Sequence, residues 1–217
     1  MTRMTRAEKQ AHTRECLLAA ATKVFSKRGL QQASIDEVAG EAGYTKGAFY
    51  ANFKSKEELF LAMLDEKFAQ RLTELEELMA RDQPLADTTR QAGADYMESL
   101  RADPEWERLF FEFAAHAARE PEFREELATR YRALREAKAQ IFERAGMHAP
   151  ITCEDIATMT FAMANGLALE QLIEPDAVPD DMYGTMLYAF FRGLKAMAAD
   201  EEERLAQTRG ASRAAST

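Results

Sequence analysis

The sequence predicts an all-α protein of nine helices in two domains, and three observations carry that prediction. Ala supplies 40 of the 217 residues and Leu 20, against 5 Ile and 3 Val. β-Branched side chains suit the pleat of a sheet, whereas Ala, Leu, Glu, Arg and Met favour helix. All six prolines (Pro84, Pro104, Pro121, Pro150, Pro175 and Pro179) lie beyond residue 80, between helix-periodic stretches. Proline costs about 3 kcal/mol inside a helix but is tolerated in its first turn, so these residues mark boundaries. Apolar residues recur three and four apart within each stretch, the period of a helix with one buried face.

Taken in order, the first helix is expected at 11–28, with Leu17, Ala20, Ala21, Val24 and Phe25 on one face and Gly29 as a left-handed stop. Ser34-Ile-Asp-Glu37 is a capping box that opens a short helix through Val38 and Ala39, ended at Gly43. Thr45 starts a helix of one and a half turns at 45–51. Ser55-Lys-Glu-Glu58, a second capping box, opens a long helix to Arg81 through Phe60, Leu64, Phe68, Leu72, Leu75 and Met79. Five more helices are expected at 87–101, 104–118, 122–145, 152–172 and 180–199, with Asp103-Pro104 placing a carboxylate cap before a first-turn proline. The polar, aperiodic stretch 205–217 reads as a disordered tail.

Charge divides the chain. Residues 1–56 carry a net +5 and the remainder −14, within a total of −9. One end suits a polyanion and the body would be repelled by it, although ordinary solvated surface charge gives the same totals. Other classes are disfavoured. The longest apolar run, Met159 to Leu169, is broken by Thr160, Asn165 and Gly166, short of the roughly 18 residues of a membrane span. No apolar stretch precedes Lys9, so no signal peptide is expected, and two cysteines, Cys16 and Cys153, are too few for a disulfide scaffold. The expected compartment is the reducing cytoplasm. Glu112-x-x-x-His116 lacks the spacing of a di-iron bundle, and His12 and His148 stand in unrelated contexts. With no His-Glu-x-x-His, phosphate loop or Gly-x-Ser-x-Gly, neither an enzyme nor a metal or other cofactor is expected.

The informative segment runs from Ser34 to Lys56. Two short helices around a glycine turn, packed on a preceding amphipathic helix, make a helix-turn-helix whose second helix can enter the major groove. Thr45-Lys-Gly-Ala-Phe-Tyr50 has the needed division: Phe49 and Phe53 can pack inward, leaving Thr45, Lys46, Gly47 and Ala48 at the leading end. Gly43-Tyr-Thr-Lys-Gly-Ala-Phe-Tyr-Ala-Asn-Phe-Lys-Ser-Lys-Glu-Glu-Leu-Phe resembles the signature of TetR-family transcriptional regulators, as do Ser34-Ile-Asp-Glu-Val-Ala and Phe25-x-x-x-Gly29. The resemblance covers residues 11–64. It implies that Thr45, Lys46, Gly47 and Ala48 face base edges or flanking phosphates, with Lys46 the direct reader. It also implies that Tyr50 and Lys54 grip phosphates and that Ser34 offers its hydroxyl and helix N-terminus to another. Ala51 and Asn52 replace the aromatic residue and histidine common after the tyrosine; Asn52 can still donate to phosphate. Tyr50 also fits core packing, Lys54 and Lys56 also fit solvated charge, and the basic arm of Arg3, Arg6 and Lys9 fits either DNA tracking or disorder.

The resemblance assigns residues 1–56 to a DNA-binding domain and 57–204 to an effector-binding and dimerisation domain. Helices eight and nine have two apolar sides, and one monomer core usually covers one. The side formed by Ala157, Phe161, Ala164, Ala168 and Leu172 with Met182, Met186, Ala189, Gly193 and Met197 is the candidate homodimer interface. The candidate effector pocket is Tyr96, Met97, Trp106, Leu109, Phe110, Phe113, His116, Tyr131, Met159, Met163 and Asn165, a set that equally fits plain core. The implied function is a dimer on near-palindromic double-stranded DNA, a repressor released by a small, largely hydrophobic ligand. The alternative is a helical DNA-binding dimer without such a ligand, controlled by a protein partner.

Overall fold

The computed structural model describes the backbone of residues 4–214, with side chains throughout that range except at Glu202 and 205–214. Among the described residues there are nine α-helices and no strand: α1 (Arg6–Gln32), α2 (Ile35–Glu41), α3 (Lys46–Tyr50), α4 (Lys56–Met79), α5 (Leu85–Ala102), α6 (Pro104–Ala117), α7 (Pro121–Arg144), α8 (Cys153–Ile173) and α9 (Met182–Ala214). A single 3-10 turn, Pro175–Ala177, lies between the last two. The expected all-α architecture is observed.

Two ends depart from expectation. The first helix starts at Arg6 rather than residue 11, because Thr5 and Glu8 form a reciprocal capping box: Thr5 Oγ1 accepts from the Glu8 amide, and Glu8 accepts from the Thr5 amide at 2.6 Å. Arg6 and Lys9 are therefore helical, and Arg3 lies outside the described residues. The last helix runs on to Ala214 instead of ending at residue 199 before a disordered tail. Its extension is rich in Ala, Glu, Arg and Gln and contains no proline, so nothing in its backbone propensity stops it. Residues 215–217 lie outside the described residues.

The chain forms two compact units. One comprises Met1–Arg71 and Asp103–Tyr131, the other Leu72–Ala102 and Arg132–Thr217. The first is larger than the 1–56 segment marked by the resemblance, because α1–α3 share one apolar core with the start of α4 and with α6. That core joins Leu17, Phe25, Val38, Phe49 and Phe53 to Phe60, Leu64, Leu109, Phe110 and Phe113. Phe60, fully buried, stacks on Trp106 at 5.7 Å and on Phe113 at 4.2 Å between ring centroids. Burial of one such ring is worth about 1.5–3 kcal/mol. Asp103 caps α6 through the Trp106 amide ahead of Pro104, as its sequence predicts.

In the second unit, α5 and α9 pass so closely that a Cβ on Gly93 would lie 2.3 Å from the Gly184 backbone nitrogen. Two glycines are what let these backbones touch. Arg101 pairs with Asp180 at one end of this helix pair. Phe142, Ile156, Ala157 and Leu194 make a smaller core shared by α7, α8 and α9. By length and composition α8 could cross a membrane, contrary to the reading of its polar interruptions. Here Ile156, Ala157, Thr160, Leu167 and Ala168 are buried within the unit.

Candidate nucleic-acid interface

Local chemistry builds the helix-turn-helix. The Ser34 box closes as predicted: Ser34 Oγ accepts from the Glu37 amide at 3.1 Å, and Glu37 accepts from the Ser34 amide at 2.9 Å. The Ser34 amide and the Ser34 hydroxyl, which donates to Glu37 Oε2 at 3.0 Å, hold the Glu37 carboxyl below the usual carboxylate range, with Arg28 nearby. At the other end of α2, Gly43 has φ +75°. The Tyr44 amide donates to Ala39 O and the Gly43 amide to Gly40 O, the paired bonds that end a helix at a left-handed glycine. Thr45 then caps α3 by accepting from the Ala48 amide at 3.2 Å. A side chain at Gly43 would be strained in that backbone, so the glycine sets the turn.

Phe49 and Phe53 are buried with ring centroids 5.9 Å apart, which seats α3 on the core. Thr45, Lys46, Gly47 and Tyr50 are exposed, Ala48 half-buried. Tyr50 retains 52% of its surface, which excludes the core-packing alternative. Ser34 and Lys54 are exposed, and Asn52 is half-buried with its amide donating to Ala48 O at 2.8 Å. One Asn52 N–H is thus committed to its own helix. Ser55 caps α4 as predicted, accepting from the Glu58 amide, while Glu58 itself reaches the Lys54 amide at 2.6 Å.

Lys46 Nζ donates to Asp36 Oδ2 at 3.0 Å, and that carboxylate raises the lysine above its ordinary range. The other two acids of α2 are also paired, Glu37 with Arg28 and Glu41 with Lys23. Exposed pairs of this kind are weak and screened by salt, so Lys46 is not locked to Asp36.

Sequence reasoning missed the clamp behind this surface. Gly29 does not stop α1; at φ 74° and ψ 161° it kinks the chain, and one further turn follows to Gln32. Glu112 of α6 accepts from the Leu30 and Gln31 amides at 3.2 and 3.1 Å, capping that turn from outside. Lys56 Nζ donates to the carbonyls of Leu30, Gln31 and Ala33 at its other end. Lys56 is therefore not a solvated charge. No local signature marks Glu112, since its partners lie 81 and 82 residues away.

The other predicted sites are dispersed. Trp106, Leu109, Phe110 and Phe113 are buried in the first unit's core with Tyr131 packed against it, as the plain-core alternative has it. His116 of the same unit lies 4.0 Å from Glu57, with its ring 5.6 Å from that of Phe123 and tilted to it. Tyr96, Met97, Met159, Met163 and Asn165 belong to the second unit, where Met97 is 1% and Met159 46% exposed. Tyr96 donates to Ala164 O at 2.7 Å and lies 4.6 Å from the Tyr183 ring. Within the candidate dimer face, Ala157 and Ala168 are 0% and 1% exposed and cannot touch a partner, a correction to their assignment. Phe161, Ala164, Leu172, Met182 and Met186 are half-buried, and Ala189, Gly193 and Met197 exposed. The outward stripe of α8 is instead Met159, Ala162, Gly166, Leu169 and Ile173, rotated from the predicted one. Both stripes have helical spacing and similar hydropathy, so only packing could choose between them.

Residues 17–63 match a family model described as "Bacterial regulatory proteins, tetR family" and residues 84–194 one described as "BetI-type transcriptional repressor, C-terminal". The chain is similar to the HTH-type transcriptional repressor BepR of Brucella suis, 44% identical over 29% of this chain and 29% of BepR. It is 32% identical to the HTH-type transcriptional activator FasR of Mycolicibacterium smegmatis over 44% of each chain. These matches span less than half the length of either relative. Salmonella enterica GusR shares the fold at TM-score 0.69 and 22% identity, over 89% of this chain and 98% of that one. With the second helix of a helix-turn-helix exposed on an aromatic core and both halves matched, this chain belongs to the TetR family of DNA-binding transcriptional regulators, which are not enzymes.

Proposed function

We propose that the protein is a cytoplasmic homodimeric repressor that leaves a near-palindromic operator when a small, largely hydrophobic ligand binds its second unit. The observation that carries the DNA-binding part is α3, whose Thr45, Lys46, Gly47 and Tyr50 face outward while Phe49 and Phe53 anchor it. Thr45 to Ala48 read base edges, and Tyr50, Lys54, Asn52 and the Ser34 helix end hold phosphates. For self-association the support is the apolar face of α8 and α9, where Ile173 is 72%, Met197 50% and Leu169 44% exposed beside the bare Gly166 and Gly193. A monomer gains nothing from so much exposed apolar surface, whereas small residues let a second copy approach closely. Two copies would present their recognition helices about 34–36 Å apart, one helical turn of DNA. The second family model's description favours repression. A ligand would act through its different affinity for the DNA-bound and free arrangements, typically about 1–3 kcal/mol of coupling.

Selection of bound sites from random duplexes tests this reading, with enrichment of a two-fold symmetric motif expected. A sequence-independent profile, or a stable monomer in sedimentation at micromolar concentration, would refute it. Lys54→Ala should weaken binding to all sequences and flatten the slope of log affinity against log salt by about one unit. Lys46→Ala should instead change which operator bases matter.

A further inference from the structure

The buried face of α7 contains one residue that does not belong there by polarity. Leu134, Ile141 and Phe142 are 5%, 6% and 3% exposed, and Lys138, itself half-buried, shares their stripe at helical spacing. Its ammonium reaches the Oγ1 of Thr160 on α8 at 2.9 Å. Thr160 is 3% exposed and donates its own hydroxyl to Ile156 O at 2.9 Å, so it can accept from the lysine. An ammonium has three donors, and among the described residues this hydroxyl is the acceptor it has; no carboxylate pairs with it. Two phenols hydrogen-bond this part of α8: Tyr183 of α9 donates to Thr160 O and Tyr96 of α5 to Ala164 O. Neither supplies a counter-charge. Burial pulls Lys138 down to about 8, leaving it mostly protonated at neutral pH. An ammonium half withdrawn from water without an anion is costly, whereas an anion of matching size would satisfy both its charge and its remaining donors.

We propose that Lys138, held in position by the Thr160 hydroxyl, anchors the carboxylate of a small apolar acid, so that the effector of this protein is an amphiphilic organic anion. This rests on the reading of the second unit as the ligand-responsive one and names the chemical class that unit recognises. The charge of Lys138 selects acids over neutral analogues.

The test uses the full-length protein with sodium decanoate and decan-1-ol as matched probes, followed by calorimetry at neutral pH. Decanoate should bind at least tenfold more tightly than decan-1-ol. Lys138→Met should erase that preference, and Thr160→Val, nearly isosteric, should reduce it several-fold even if the lysine variant folds poorly. Equal binding of acid and alcohol by the wild type, binding of neither, or a preference retained by Lys138→Met would overturn the proposal. Operator release is measured with both probes. Release by decan-1-ol alone would sink the anion anchor yet leave a ligand-responsive repressor standing. Release that no apolar compound produces would count against ligand control itself.

Discussion

The two units use opposite strategies with their polar and apolar groups. In the first, the backbone and charges around α2 and α3 are tied: the kinked turn after Gly29 has Glu112 on its amides and Lys56 on its carbonyls, and each acid of α2 has a cation. Large rings, with Phe60 between Trp106 and Phe113, fill the core beneath α3. The second unit leaves a cation on the apolar face of α7 with one hydroxyl acceptor, and an apolar stripe of α8 and α9 exposed. On the proposed function the contrast has a physical reason. A surface that reads DNA must arrive rigid, because a misplaced recognition helix loses contacts it cannot re-form cheaply. A surface that is to bind a copy or a ligand keeps its unsatisfied groups until the partner supplies what is missing.

That contrast can be broken most forcefully at the cores. Phe60→Ala should cost about 3–5 kcal/mol, seen as a lower denaturant midpoint and lost hydrogen-exchange protection in α1–α3. Retained protection there would show that the aromatic core does not support the head. Gly93→Ala should cost about 1–3 kcal/mol or more, because the clash is with backbone that no rotamer can relieve. Its thermal transition should drop, and an unchanged one would mean that α5 and α9 are not held in contact.

The pH dependence of the body sharpens the comparison next. Burial lowers Lys138 from 10.5 to about 8 in the folded protein. Between those values the unfolded chain holds the proton and the folded chain has released it, so stability rises with pH through this window. Relative to Lys138→Met, the wild type should therefore gain stability from pH 8 to 10, by about 1–2 kcal/mol once residual solvent screening is counted. A difference that stays flat in thermal melts would contradict the burial of this ammonium. Glu112→Ala, the smallest of these effects, should cost about 1–2 kcal/mol, the worth of a lost helix cap. Because the turn it caps leads into α2, operator affinity should fall with it in a gel-shift titration, while a variant with native affinity would reduce the clamp to decoration.

Much of the head was written locally. Ser34 with Glu37, Gly43, Thr45 and Asp103-Pro104 act within a few residues of themselves, so their roles follow from spacing, and the division of Phe49 and Phe53 from Tyr50 follows from helical period. Even the early start of α1 carries a local signature, Thr5-Arg-Ala-Glu8, and Lys138 sits in register between Leu134 and Ile141, where a charge is conspicuous. The sequence by itself therefore determined the helices, their caps, the outward face of α3 and the opposition of charge between the two ends. Tertiary structure alone decided that Glu112 closes the turn after Gly29, that Lys46 rests on Asp36, that the aromatic line of α6 fills a core, and which stripe of α8 faces out. Hydrogen-bond caps and helical period act between near neighbours in the chain, whereas the choice between two equally apolar faces depends on which distant helix arrives to cover one of them.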